Sequence, residues 1–219
     1  MRCSKTTVSR DRMLDPLATE WGRVPGEGIA MAATPLANQP SGYIKATRTA
    51  DTVGKVRNLL VQAAHDGHDI FLRLSWEDAS ENRMITDSNV FPDGCGILLP
   101  LHGGDAPLEE MGSRAAPVNA WFWRADFETP TARNTIAQGL GTTQFTERSA
   151  VEARAAWGHG AWAMVFARPL AVPDQAEETV QLTAGTSVNV AFAVWEGSNG
   201  ERAGVKSFSK EWRELALEA

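Results

Sequence analysis

Asp69-Ile70-Phe71-Leu72-Arg73-Leu74-Ser75-Trp76 is the stretch on which the reading of this chain turns. Ile70, Leu72, Leu74 and Trp76 fall on one side and Phe71, Arg73 and Ser75 on the other, the period-two alternation of a strand packed on a core. Asp66-Gly67 immediately before it is a hairpin signal. Val53, Val56, Leu59, Leu60 and Ala63 also fit one face of a helix, but the Asp-Gly turn favours a hairpin ahead of the 69–76 strand.

Working outward, residues 94–99 form a short apolar strand and residues 118–124 another. In the second, Val118, Ala120 and Phe122 oppose Asn119, Trp121 and Trp123, and bulky groups on both sides mean that both faces are covered. Residues 151–157, a Gly158-His159-Gly160 turn and residues 162–167 make a second hairpin, and residues 188–195 read as a central strand. Residues 212–217 are expected to close a sheet edge. Short strands between turn-rich stretches, with no sustained helical period, predict an all-β fold: an antiparallel β-sandwich with a few short helices in the connections. Residues 1–40, rich in Pro, Gly, Thr and Ala, read as an extended N-terminal arm packed on the body through Trp21 and Met31, and residues 41–219 as the sandwich domain.

A length of 219 residues fits one domain. With 21 Lys and Arg against 27 Asp and Glu the formal charge is −6, and no basic cluster marks a phosphate-binding surface, so nucleic acid is not an expected partner. Cys3 and Cys95 are too few for a disulfide framework, and Cys3 falls in a segment expected to be mobile. Residues 1–25 hold no apolar stretch of signal-peptide length and no run long enough to span a membrane occurs.

Gly94-Cys95-Gly96 runs on into Ile97, Leu98 and Leu99, so there is no G-x-G-x-x-G, and neither a Walker-type loop nor a C-x-x-C-H haem attachment motif is present. His65 and His68 frame the Asp66-Gly67 turn at a spacing that suits either a metal or a solvated turn; His102 and His159 sit in Gly-bearing turns. Met111, in a polar loop, is either a gap-filling side chain or a thioether ligand. Lys206, delivered beyond the Gly197-Ser198-Asn199-Gly200 turn, is either a solvated surface lysine or an amine ligand. Glu196 and Glu201 suit solvated loop carboxylates better than an acid–base pair.

Met111-Gly112, Pro117-Val118-Asn119-Ala120-Trp121-Phe122-Trp123-Arg124-Ala125-Asp126, Ala191-Phe192-Ala193-Val194-Trp195-Glu196-Gly197-Ser198-Asn199-Gly200-Glu201-Arg202 and Lys206-Ser207 with Ser209 resemble, in order and spacing, the γ subunits of ethylbenzene dehydrogenase-type molybdenum enzymes. The likeness continues less sharply over residues 56–100. The resemblance implies a β-sandwich that binds one haem b non-covalently, with Met111 and Lys206 as axial iron ligands and residues 41–219 as the haem-binding domain. It also implies an iron–sulfur β subunit, a molybdopterin α subunit and a soluble acceptor such as a c-type cytochrome as partners. A periplasmic location, reached by co-export with a partner that carries the signal, follows from the same resemblance, as does a complex that hydroxylates or dehydrogenates a hydrocarbon or steroid side chain. Arg114, Arg124 and Arg202 are candidates for pairing with haem propionates or for plain surface roles. A carbohydrate-binding β-sandwich is the competing reading: eight tryptophans offer material for sugar-stacking platforms, and Trp121 and Trp123 share one face.

Overall fold

The computed structural model describes residues 1–129 and 131–219. In chain order its strands are β1 (Arg2–Lys5), β2 (Gly26–Ala30), β3 (Ala32–Ala33), β4 (Asn58–His65), β5 (Asp69–Glu77), β6 (Gly94–Pro100) and β7 (Val118–Arg124). They continue with β8 (Arg133–Ala137), β9 (Gln144–Phe145), β10 (Glu152–Gly158), β11 (Ala161–Pro169), β12 (Ser187–Trp195), β13 (Ser207–Phe208) and β14 (Arg213–Leu217). Two short α-helices, α1 (Arg10–Leu14) and α2 (Gly42–Thr47), and several single 3-10 turns lie in the connections. The fold is therefore the all-β sandwich that the alternation predicts.

The hydrogen-bonded path runs β10-β11-β5-β4-β1-β14-β12-β6-β7-β8-β9, with β2 added beside β4 and β13 joining β12 to β3. Side chains from β4, β5 and β11 meet those from β6, β7 and β12 in one core. Ile70, Leu72, Leu74 and Trp76 all enter it, together with Ile97, Trp121, Trp123, Phe166 and Phe192. Each such side chain contributes about 1.5–3 kcal/mol by leaving water. Phe71 points the other way, under α1, into a second cluster with Met13, Leu14, Trp21 and Val165. Outside β6, β7 and β12 a third cluster gathers Leu98, Ala120, Ala191 and Ala193, covered by Met111, Trp195 and Trp212. Both faces of β7 are thus covered.

Both hairpins form where the turn residues lie. The β4–β5 turn is closed by Asp66, whose carboxylate accepts from the amides of His68 and Asp69, with Gly67 at φ 93°. In the β10–β11 turn His159 and Gly160 both have positive φ, 54° and 74°, the backbone of a two-residue turn matched to strand twist.

Two expectations change. The C-terminal strand β14 is interior, paired with β1 on one side and β12 on the other. Residues 1–40 do more than pack on the body as an arm: β1 runs parallel to both β4 and β14 and joins the two halves of the path. Cys3 is accordingly fully buried rather than in a mobile end. Trp21 and Met31 are buried as expected.

Candidate functional site

Met111 lies in the β6–β7 connection, where a tight turn is set by two backbone bonds, Met111 amide to Leu108 carbonyl at 3.1 Å and Gly112 amide to Pro107 carbonyl at 2.8 Å. Gly112 has φ 84°, and a Cβ there would sit 2.9 Å from the Ala116 carbonyl oxygen and 3.0 Å from that of Ala137. Only glycine fits, which explains the Met-Gly pair. Met111 itself takes φ 60°, a left-handed backbone that is uncommon for a residue with a side chain and is held by its surroundings.

Lys206 precedes β13, which pairs Ser207 with Val194 of β12 and with Ala33 of β3. That pairing draws the side chain inward: Lys206 is 6% exposed. Its Nζ donates to Met111 Sδ at 3.6 Å and stands 5.2 Å from the centre of the Trp195 ring. Among the described residues no carboxylate forms an ion pair with it. Burial without a counter-charge disfavours the ammonium form and brings its pKa down from 10.5 to about 8.

A small pocket of about 20 Å³ opens around this pair. Its apolar walls include Leu98, Leu108, Leu140, Phe192, Ala193 and Phe208, and its polar rim Thr34, Asn38, Gln39 and Glu109. The sheet behind it is stripped of bulk. Trp195 lies against Gly94 and Gly96, where an added Cβ would meet its ring carbons at 3.7 and 3.8 Å, and Ala120, Ala191 and Ala193 continue the thin surface.

The other candidate residues are not brought to this site. His65 is fully buried and His68 largely exposed, so the turn sends the two rings apart. His102 and His159 are exposed. Arg124 pairs with Asp126, Arg202 stacks 4.2 Å over the Phe91 ring, and exposed Arg114 lines a separate surface depression beside Phe145; none of the three lines the Met111–Lys206 pocket. Glu196 and Glu201 are buried rather than solvated. Glu201 accepts from the Gly54, Lys55 and Glu196 amides and so ties three backbone segments together. Trp21, Trp76, Trp121, Trp123 and Trp162 are buried, and Trp157, Trp195 and Trp212 are half-covered, so among the described residues no indole lies fully open as a sugar platform. Sequence reasoning missed the wall from residues 34–39, which are ordinary loop residues with no motif.

Fold and site together define a β-sandwich with a small pocket in which a thioether and a buried amine face each other. The sequence profile described as "Ethylbenzene dehydrogenase" matches residues 19–144 and 133–207, and the chain belongs to that family. A Haloferax mediterranei protein named for a respiratory nitrate reductase heme subunit, ORF7, is 36% identical over 95% of this chain and 70% of its own length. The chlorate reductase subunit gamma of Ideonella dechloratans is 32% identical over 91% of this chain and 78% of its own. Among solved structures, a family 9 carbohydrate-binding module of Caldicellulosiruptor kristjanssonii in complex with glucose superposes with TM-score 0.54 at 9% identity, covering 100% of this chain and 95% of its own. At that identity the likeness is one of fold. Among the described residues no helix is long and apolar enough to cross a membrane.

Proposed function

We propose that this chain is the haem b electron-transfer subunit of a molybdenum oxidoreductase, with Met111 and Lys206 as axial ligands of a non-covalently bound haem. The observation that carries the reading is the 3.6 Å approach of Met111 Sδ and Lys206 Nζ inside an apolar pocket, with no acidic partner for the amine. The donor set fits the group. Thioether and amine are neutral, soft to borderline donors suited to iron rather than to a hard cation such as magnesium. Met111 and Lys206 would be the residues that hold the iron, and the walls around them would have to part to admit the porphyrin. The names of the relatives, a heme subunit and a gamma subunit, support the same reading.

Bound there, a haem would carry one electron at a time on its iron. Met111, as a thioether ligand, would favour the ferrous state and raise the potential. Lys206 binds only as the free amine, and its burial has already weakened the hold of the proton. Two protein ligands leave no open position for oxygen or substrate, which suits relay rather than catalysis. The electrons would pass between an iron–sulfur β subunit, itself beside a molybdopterin α subunit, and an acceptor such as a c-type cytochrome. We assign the complex to hydroxylation or dehydrogenation of a hydrocarbon or steroid side chain, and its place to the periplasm by co-export with a signal-bearing partner. Mass spectrometry of co-purifying chains and cell fractionation test those two assignments.

Reconstitution tests the core of the proposal. The protein is expected to bind haem with a six-coordinate, low-spin Soret spectrum, and Met111→Ala and Lys206→Ala each to lose that spectrum and at least about tenfold in haem affinity. A chain that stays colourless with excess haem refutes it.

A further inference from the structure

Thr34, in the loop after β3, meets the Lys206 segment through its hydroxyl and its backbone amide. Its hydroxyl donates to the Gly204 carbonyl at 2.8 Å and accepts from the Lys206 amide at 3.2 Å, while its own amide donates to the Lys206 carbonyl at 3.1 Å. One hydroxyl proton and two lone pairs allow both hydroxyl contacts at once. Gln39, 5% exposed, donates Nε2 to the same Gly204 carbonyl at 2.9 Å. It is pressed so close that a Cβ on Gly204 would lie 2.1 Å from its Oε1. The residue before, Ala203, is held at φ 50°, a left-handed backbone for a residue with a side chain. Residues 203–206 are therefore kept in an unfavourable path by groups from a segment some 170 residues earlier.

We propose that Thr34, backed by Gln39, is a positioning residue that keeps the Lys206 amine aimed at Met111. The inference rests on the haem reading above. Thr34 meets Lys206 at the backbone, so its effect on the amine is exerted through the lysine's own main chain. A lysine side chain has four rotatable bonds, and an amine bound at its end stays in place only when its own backbone is fixed. Without the Thr34 hydroxyl the 203–206 turn relaxes, the amine withdraws, and the position facing Met111 opens.

Carbon monoxide binding to the ferrous haem of the purified complex reads that opening directly. Thr34→Val keeps the shape and removes the hydroxyl; Thr34→Ser keeps the hydroxyl. The wild-type complex is expected to stay low-spin and bind carbon monoxide slowly. Thr34→Val should show a high-spin fraction and bind it at least about tenfold faster, Thr34→Ser should return to the wild-type rate, and Gln39→Leu should fall between. A haem-loaded Thr34→Val complex with wild-type spectrum and rate overturns the inference while leaving the haem reading intact. Should Thr34→Val not accumulate as a folded complex, haem-loaded Gln39→Leu decides in its place: a faster rate supports the role and an unchanged rate overturns it. A wild-type complex without a Soret band removes both readings together.

Discussion

At the residue scale the buried polar groups divide into those that hold backbone and those that carry an unpaid electrostatic cost. Glu201 and Asp93 belong to the first kind: Asp93 accepts from the Gly197 and Asn82 amides and the Trp162 indole. Asp78 belongs to the second. It is 3% exposed, and one carboxylate oxygen has no partner among the described residues. Burial first, then the nearby Asp93 charge, pushes its pKa up from 3.8 to about 7. Between those values the folded chain holds a proton that the unfolded chain has released, so stability falls as pH rises through that window, and the cost is complete above pH 7. Asp78→Asn is therefore expected to be more stable than wild type at pH 8 by ~2 kcal/mol, with the gap closing toward pH 4. Urea unfolding across that range checks it; a gap independent of pH contradicts the cause given.

At the scale of elements, β1 is the piece on which the sheet path depends, because among the described residues it alone links β4 to β14. Cys3 sits at its centre, fully buried, with its thiol pushed up to about 12 chiefly by burial. Placing a charge there by Cys3→Asp is expected to cost at least ~3 kcal/mol and to lower the urea midpoint, whereas Arg2→Ala at the exposed neighbour should cost under ~1 kcal/mol. This element also marks where sequence reading stops. The β4–β5 and β10–β11 hairpins, β6, β7 and β12 were legible because alternation and turn residues are local signals. The four residues of β1 carry no period, and β14 offers nothing to show that its neighbours are β1 and β12, so interior strands looked like an arm and an edge. The short β8 and β9 escaped for the same reason. In the site, Met111 and Lys206 were named by resemblance, since no spacing rule joins residues 95 apart. Thr34 and Gln39 had no signal, being ordinary polar residues whose importance lies in which backbone they touch.

For the molecule as a whole, the pocket is a cost to the empty protein and a gain to the loaded one. A buried lysine without a counter-ion and two left-handed turns, at Met111 and Ala203, destabilise the ligand-free fold. A ligand that binds only the folded state returns that energy by mass action: haem at a hundred times its Kd should add about 2.7 kcal/mol. For a domain of this size the melting temperature should rise by roughly 5–10 °C. Calorimetry of loaded and empty protein measures the rise, which should vanish in the Met111→Ala, Lys206→Ala double variant. The seam between β1 and β14 has its own consequence. Arg2 pairs with Ala216 and Cys3 with Leu217, so the ladder can zip only when segments 214 residues apart in the chain have met. Such distant partners make for slow closure of this seam.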